Sequence, residues 1–323
     1  MRERLEYAAA WVTLKFFGLL PRPVARWMGA RLAAILFRLR PAWRRVALFN
    51  LQLAFPERSE GERERIVKLM VRNLGWLMAE FAHLPHYTRE NIERTIVQDG
   101  FENFLAAERE GRGVLVLTGH LGAWELKAFA HALYHKPTYF LMRPIKNPRV
   151  DTLVNRYRGL SGNQSIEKNE SVRTILRVLR DGGTVAVLAD QNTTPAEAVF
   201  VNFFGIPAAT TAGLARLARR TGAAVVPIHS YWDSSLKKYR LRYEPALELA
   251  KSGDEEADVR AHTELFNRTL EGFIRRFPDQ WFWVHRRWKN RPPGEEPIYS
   301  DEKRARPSGE SLIGGEHGAA HSE

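Results

Sequence analysis

The stretch VLVLTGHLGAWE, Val114–Glu125, runs four apolar residues into a histidine bracketed by glycines, with a glutamate five positions further on. An imidazole titrates near neutral pH, so His120 can take a proton from a hydroxyl as a general base. A carboxylate at Glu125, in the first turn of a following helix, can reach back to the ring, hold one tautomer and stabilise the imidazolium. The spacing alone is weak. With ten histidines and 37 acidic residues in 323, about one such pair arises by chance, and only His120 has an acid at that distance. The specificity comes from context, a strand–Gly–His–x–Gly turn that exposes the ring.

Such a turn needs a sheet to carry it. From about residue 100 the chain alternates apolar runs with amphipathic ones. GVLVLTG, PTYFLMRP, TVAVLAD and AVVPIHSYW read as strands, and YRLRYEPALEL as a later one. AWELKAFAHALYH, NPRVDTLVNRYRGL, SVRTILRVLRDGG, AGLARLARRTGA and DEEADVRAHTELFNRTLEGFIRRFP read as helices. Continuous apolar strands separated by helices predict an α/β fold, with a mostly parallel central sheet flanked by helices. Catalytic groups in open α/β sheets collect beyond the carboxyl ends of the strands. His120 and Asp190 both fall at such ends, and so can meet although 70 positions apart. Upstream, Ser59 reads as the N-cap of a long helix with Ile66, Met70, Leu74 and Met78 on its apolar stripe. Glu80, near the end of that stripe, is expected at the surface. His229 and His285 are expected to be structural, and WFWVHRRWK reads either as an interfacial patch or as a packed element.

The net charge is +12, which points to anionic partners. Residues 1–50 hold ten Lys/Arg against two Glu. YAAAWVTLKFFGLLP is apolar but shorter than the roughly 20 residues that span a bilayer. In RPVARWMGARLAAILFRLR, Val24, Trp27, Met28, Leu32, Ile35, Leu36 and Leu39 share one helical face, and arginines take the other. This is the pattern of helices lying in a membrane interface, with the arginines toward anionic headgroups. The chain therefore divides into membrane-anchoring helices at 1–45, a catalytic domain at 46–290 and a disordered polar tail at 291–323. A chain lacking residues 1–40 is expected to leave the membrane before it loses its fold. No nucleic-acid motif accompanies the charge, so nucleic acid is not an expected partner. No cysteine is present, which excludes thiolate metal sites, disulfides and cysteine nucleophiles. No metal site and no cofactor are expected.

GHLGAWE resembles the His-x4-Asp/Glu motif of the glycerolipid acyltransferases, and most of all the bacterial branch that adds late acyl chains to lipid A. RPIKNP (143–148), NRYRG (155–159), LADQN (188–192), VNFFGIPAATTAG (201–213), GAAVVPI (222–228) and WFWVHRRWKNRP (281–292) resemble that family in the same order, across roughly residues 10–292. The resemblance implies a membrane-associated enzyme at the cytoplasmic face of a bacterial inner membrane. It would move a fatty acyl chain from acyl carrier protein, or acyl-CoA, to a hydroxyl of a lipid acceptor. His120 would act as base, oriented by Glu125, and the alkoxide would attack the thioester directly. The missing cysteine and the missing G-x-S-x-G elbow agree with direct attack. The oxyanion would be met by backbone N–H groups near Gly119–Gly122 or by an arginine. Arg143 and Arg156 match family positions and would contact phosphate. Asp190 and Gln191 match the family's Asp-Gln pair, and would bond sugar hydroxyls or fix the arginines. Two other readings stay open: the same chemistry on another phospho- or glycolipid, and a non-catalytic lipid-binding protein.

Overall fold

The long helix starts where its capping chemistry places it. Ser59 accepts the N–H of Glu62 while the Glu62 carboxylate accepts that of Ser59 at 2.8 Å, a reciprocal cap that satisfies two otherwise orphaned donors. The computed structural model describes residues 1–142, 144–167 and 171–299. The chain opens with four helices, α1 (Arg2–Leu19), α2 (Arg22–Leu39), α3 (Pro41–Ala54) and α4 (Glu60–His83). It then alternates through β1 (Ile96–Asp99), α5 (Phe101–Arg109), β2 (Val114–Thr118), α6 (Trp124–Tyr134), β3 (Tyr139–Met142), α7 (Pro148–Gly159), β4 (Gln164–Glu167), α8 (Ser171–Arg180) and β5 (Thr184–Leu188). A hairpin of β6 (Ala198–Phe203) and β7 (Ile206–Thr211) follows, then α9 (Gly213–Thr221), β8 (Ala224–Asp233), β9 (Lys238–Tyr243) and α10 (Glu255–Arg276).

Among the described residues, seven strands form one sheet in the order β1-β9-β8-β2-β5-β3-β4, and every neighbouring pair is parallel except β8–β9. The α/β class and the mostly parallel sheet are as the alternation predicts. The β2 run is buried at every position, as a central strand covered on both faces must be. Alternate side chains enter two cores. Leu115 and Leu117 join α3, the first half of α4 and helices α8, α9 and α10. Val114 and Val116 join α1, α2, the second half of α4 and helices α5, α6 and α7.

The N-terminal helices depart from expectation in where two of their arginines go. The apolar stripe of α2 faces out: Trp27 is 60% exposed and Leu39 is 70% exposed. Its inner face carries Ala25, Arg26 and Gly29. Gly29 and Gly75 bring α2 and α4 together so closely that a Cβ on either would stand within 2.4 Å of the partner's backbone oxygen. Arg22 and Arg26 are thus not headgroup contacts. The Arg22 Nε donates to Glu80 Oε1 at 3.0 Å, and the Arg26 guanidinium lies between Trp76 and Trp232, 3.7 and 4.0 Å from their ring centres. Glu80 is fully buried rather than at the surface, because two arginines and the Tyr87 hydroxyl replace its water. No helix among the described residues is long and apolar enough to cross a membrane.

The first residues of the segment expected as a tail are packed against the domain. The Arg291 guanidinium donates to Pro207 O, and the buried Tyr299 donates to Asn50 Oδ1 at 2.8 Å. Residues 300–323 lie outside the described residues. The segment around WFWVHRRWK is a packed element, with Trp281, Trp283 and Trp288 all buried.

Candidate active site

The turn after β2 puts the His120 ring at the carboxyl edge of the sheet, beside the turn after β5. Asp190 belongs to that second turn and is buried. Its Oδ2 accepts the His120 backbone N–H at 2.7 Å, and its Oδ1 accepts Nδ1 of the ring at 2.9 Å. The Trp281 indole N–H donates to Oδ2 at 2.7 Å. Burial would raise the Asp190 carboxyl, but His120 as charge and donor, and the Trp281 bond, outweigh it and hold Asp190 well below the usual carboxylate range. A carboxylate can only accept, so Nδ1 carries the proton and Nε2 presents its lone pair. The close fit requires glycine at 119, where a Cβ would stand 2.9 Å from the Asp190 carboxylate. The C-terminal segment closes the site from below: Phe282 N–H donates to His120 O at 3.2 Å and Gly122 N–H donates to Gln280 O at 2.8 Å.

Glu125 does not reach the ring. The guanidinium of Arg158 takes both its oxygens, Nε to Oε2 at 2.8 Å and a terminal nitrogen to Oε1. The group that orients His120 in this structure is therefore Asp190, brought in by strand register. This also corrects the expectation for Asp190 itself. With its oxygens engaged and its side chain buried, it does not face a sugar. Gln191 lies over the ring, its Nε2 3.2 Å from Nδ1 and 3.4 Å from Nε2. Because Nδ1 is committed to Asp190, only Nε2 can accept that amide. Arg156 is exposed on α7, two positions from Arg158 and so turned well away from it on a 3.6-residue helix. Arg143 lies outside the described residues.

His120, Glu125, Arg158 and Gln191 line a cavity of about 970 Å³ that takes wall residues from both faces of the sheet. Val116, Phe140, Ile175, Leu214 and Leu217 make it largely apolar, while His120, Glu125, Lys127, Arg158 and Gln191 supply polar groups. A large apolar pocket with a few convergent polar groups is the ordinary form of a small-molecule site.

Residues 2–290 match the family described as bacterial lipid A biosynthesis acyltransferase. The chain belongs to that family. It is 30% identical over 301 residues to the lipid A biosynthesis palmitoleoyltransferase of Escherichia coli K12, covering 90% of this chain and 94% of that protein. It is also 30% identical to the myristoyltransferase of the same organism (82% of this chain, 81% of that protein) and to its lauroyltransferase (85% and 88%). The enzyme is an acyltransferase.

In this acyltransferase His285, which also lines the cavity, acts differently from His120. His285 Nε2 accepts the Asn192 backbone N–H at 2.9 Å, and burial lowers its pKa to about 4, so it is a neutral acceptor that braces the turn carrying Gln191. His229 is buried against Phe273, with ring centres 3.9 Å apart, and burial holds it neutral as well. Sequence reasoning missed Arg158, Lys127 and Trp281. The NRYRG block contained the signal for the first, since the two arginines of that block cannot both face the sheet.

Proposed function

We propose that this acyltransferase moves a fatty acyl chain from an acyl thioester to a hydroxyl of a lipid A precursor, with His120 as general base. The observation that carries the reading is the Asp190–His120 pair, whose imidazole lines a large, mostly apolar cavity. Asp190 fixes the tautomer, and Nε2 takes the acceptor's hydroxyl proton as the oxygen attacks the thioester carbonyl. When the tetrahedral intermediate collapses, the C–S bond breaks and the imidazolium returns the proton to the leaving thiolate. The apolar walls suit a hydrocarbon chain. The relatives named above are lipid A enzymes that differ in the chain their names specify, which supports the acceptor class and leaves the chain length to the cavity's shape.

The donor is a soluble acyl thioester, acyl carrier protein by the family's habit, with acyl-CoA as the other source. Arg158, held as a fork by Glu125 at the cavity wall, is the cation placed to meet an anionic group of either substrate. Arg143 is proposed for the same purpose. Attachment to the cytoplasmic face of a bacterial inner membrane is supported by the outward apolar residues of α1 and α2, among them Trp11, Phe16, Trp27 and Leu36, beside an arginine-rich sequence. Arg31, Arg38, Arg40 and Arg45, rather than Arg22 and Arg26, are the ones offered to headgroups; Arg44 pairs with Glu64.

Mass spectrometry of lipids from a deletion strain tests the whole reading. One acyl chain should vanish from lipid A and return with the wild-type gene. An unchanged lipid A with an altered phospholipid would transfer the chemistry to another acceptor. For the fork, Arg158→Lys should lower kcat/KM about ten- to a hundredfold, the worth of a lost charged hydrogen bond. Arg156→Ala should stay within about twofold, as exposed substitutions usually do. Steady-state kinetics of both variants decide this, and equal losses would return Arg156 to the site.

A further inference from the structure

Lys127 is a buried cation of the cavity. It stands on α6, is only 6% exposed, and lines the same space as His120. Its Nζ donates to Thr118 Oγ1, and among the described residues it makes no ion pair. Thr118 gives its own proton to Ile228 O at 2.6 Å, so its lone pairs are left to receive the ammonium. That contact uses one of three N–H groups. Burial lowers the Lys127 pKa to about 8, and the more distant carboxylates of Asp190 and Glu125 oppose the drop. The side chain is still mostly charged at neutral pH. A buried ammonium without a carboxylate contact is costly to folding, so a chain gains little from it as a packing element.

The other donors available to a developing oxyanion are largely committed. The N–H groups of His120 and Gly122 go to Asp190 and Gln280. The Arg158 guanidinium is forked on Glu125 and also touches Met142 Sδ at 3.3 Å. Thr118 ends β2 and His120 sits two residues on, in the turn that follows, and both line the cavity. An attacking oxygen roughly 3 Å from Nε2 brings the thioester carbonyl into the space that His120 and Lys127 both line. We infer that Lys127 is a catalytic residue whose free N–H groups bind the tetrahedral oxyanion formed on the thioester carbonyl. As the acceptor oxygen bonds to the carbonyl carbon, the C=O π pair moves onto the oxygen facing Lys127, and the hydroxyl proton moves to His120. When the pair returns, the C–S bond breaks and the thiolate takes that proton. The charges balance throughout: Asp190 faces an imidazolium, and the oxyanion faces the ammonium.

This inference rests on the acyl-transfer reading, so the test carries wild type and His120→Ala beside it. Transfer by wild type that is lost in His120→Ala upholds that reading whatever Lys127 does. Lys127→Met keeps the length and removes the charge. Its kcat should fall about 10²–10³-fold, the usual loss for one oxyanion donor, with the donor KM changed less than threefold and the melting temperature equal to or above wild type. A kcat within threefold of wild type overturns the assignment. Because the chain has no cysteine, Lys127→Cys carries a single thiol, and 2-bromoethylamine converts it into a lysine-like ammonium. Recovery of at least tenfold in kcat on alkylation, confirmed by intact mass, supports the role even where Lys127→Met is poorly folded. A folded, fully alkylated protein that recovers nothing overturns it.

Discussion

His120→Ala should lower turnover by at least about 10²-fold, and Asp190→Asn should come close to it. The second half of that result separates two arrangements of the same residues. The Asp190 carboxylate accepts the hydrogen bond of Nδ1–H and so leaves Nε2 without a proton. An asparagine there can offer its amide N–H to Nδ1 and so favour the tautomer with the proton on Nε2, which cannot accept from a hydroxyl. The corresponding change in a serine protease costs about 10⁴-fold. Glu125→Gln acts otherwise. It leaves the ring's tautomer alone and loosens Arg158, so it should cost less in kcat than Asp190→Asn and show more strongly in KM. Single-turnover acyl transfer by the three folded variants is the measurement. A wild-type rate in His120→Ala ends the general-base mechanism. An inactive Glu125→Gln beside a near-normal Asp190→Asn would give the orienting role back to Glu125.

Removing residues 1–40 should destroy the fold rather than release a soluble catalytic domain. Deletion takes away Arg22 and Arg26 and leaves Glu80 buried with only the Tyr87 hydroxyl. Stranding one member of a buried ion pair costs about 3–5 kcal/mol, against a total of about 5–15 kcal/mol for a typical domain. The same cut exposes the Gly75 face of α4 and uncovers Trp76 and Trp232. Limited proteolysis and thermal melting of the shortened chain in detergent check this. A melting temperature within a few degrees of full length would show that the helices are a separable anchor after all. Glu80→Gln in the full-length protein probes the ion pairs alone and should also lower the melting temperature.

Where the sequence pattern is local, it reads correctly. The apolar runs that became β2, β5 and β8 and the helices α7 to α10 each carry their own period, and the two turns that bear His120 and Asp190 follow from that layout. The failures are all questions of which way a polar side chain turns. Glu125 is the nearest acid to His120 along the chain, but the ring's partner arrives from the adjacent strand, and nothing in twelve residues encodes that register. Arg22 and Arg26 lie on the polar side of α2 by any helical wheel. Their burial depends on Glu80, Trp76 and Trp232, which a wheel cannot include. The β6–β7 hairpin was hidden because its turn places Phe204 at positive φ, a position that glycine or asparagine would have flagged. The hairpin's inner edge is fixed by α10 and by the C-terminal segment, through Asn267 to Asn202 O and Arg287 to Ala209 O.

The arginine sandwich also sets an order of events during synthesis. Arg26 is made early, yet one of the two rings that enclose it, Trp232, leaves the ribosome about 200 residues later. At about 5–20 residues per second the delay is some tens of seconds. For that interval α1 and α2 are complete, apolar on one side and without their partner in β8. Under the membrane attachment proposed above, a nascent chain in that condition would rest on the nearby lipid surface. The enzyme would then meet its membrane before it has an active site, and the rest of the domain would fold down onto helices already in position.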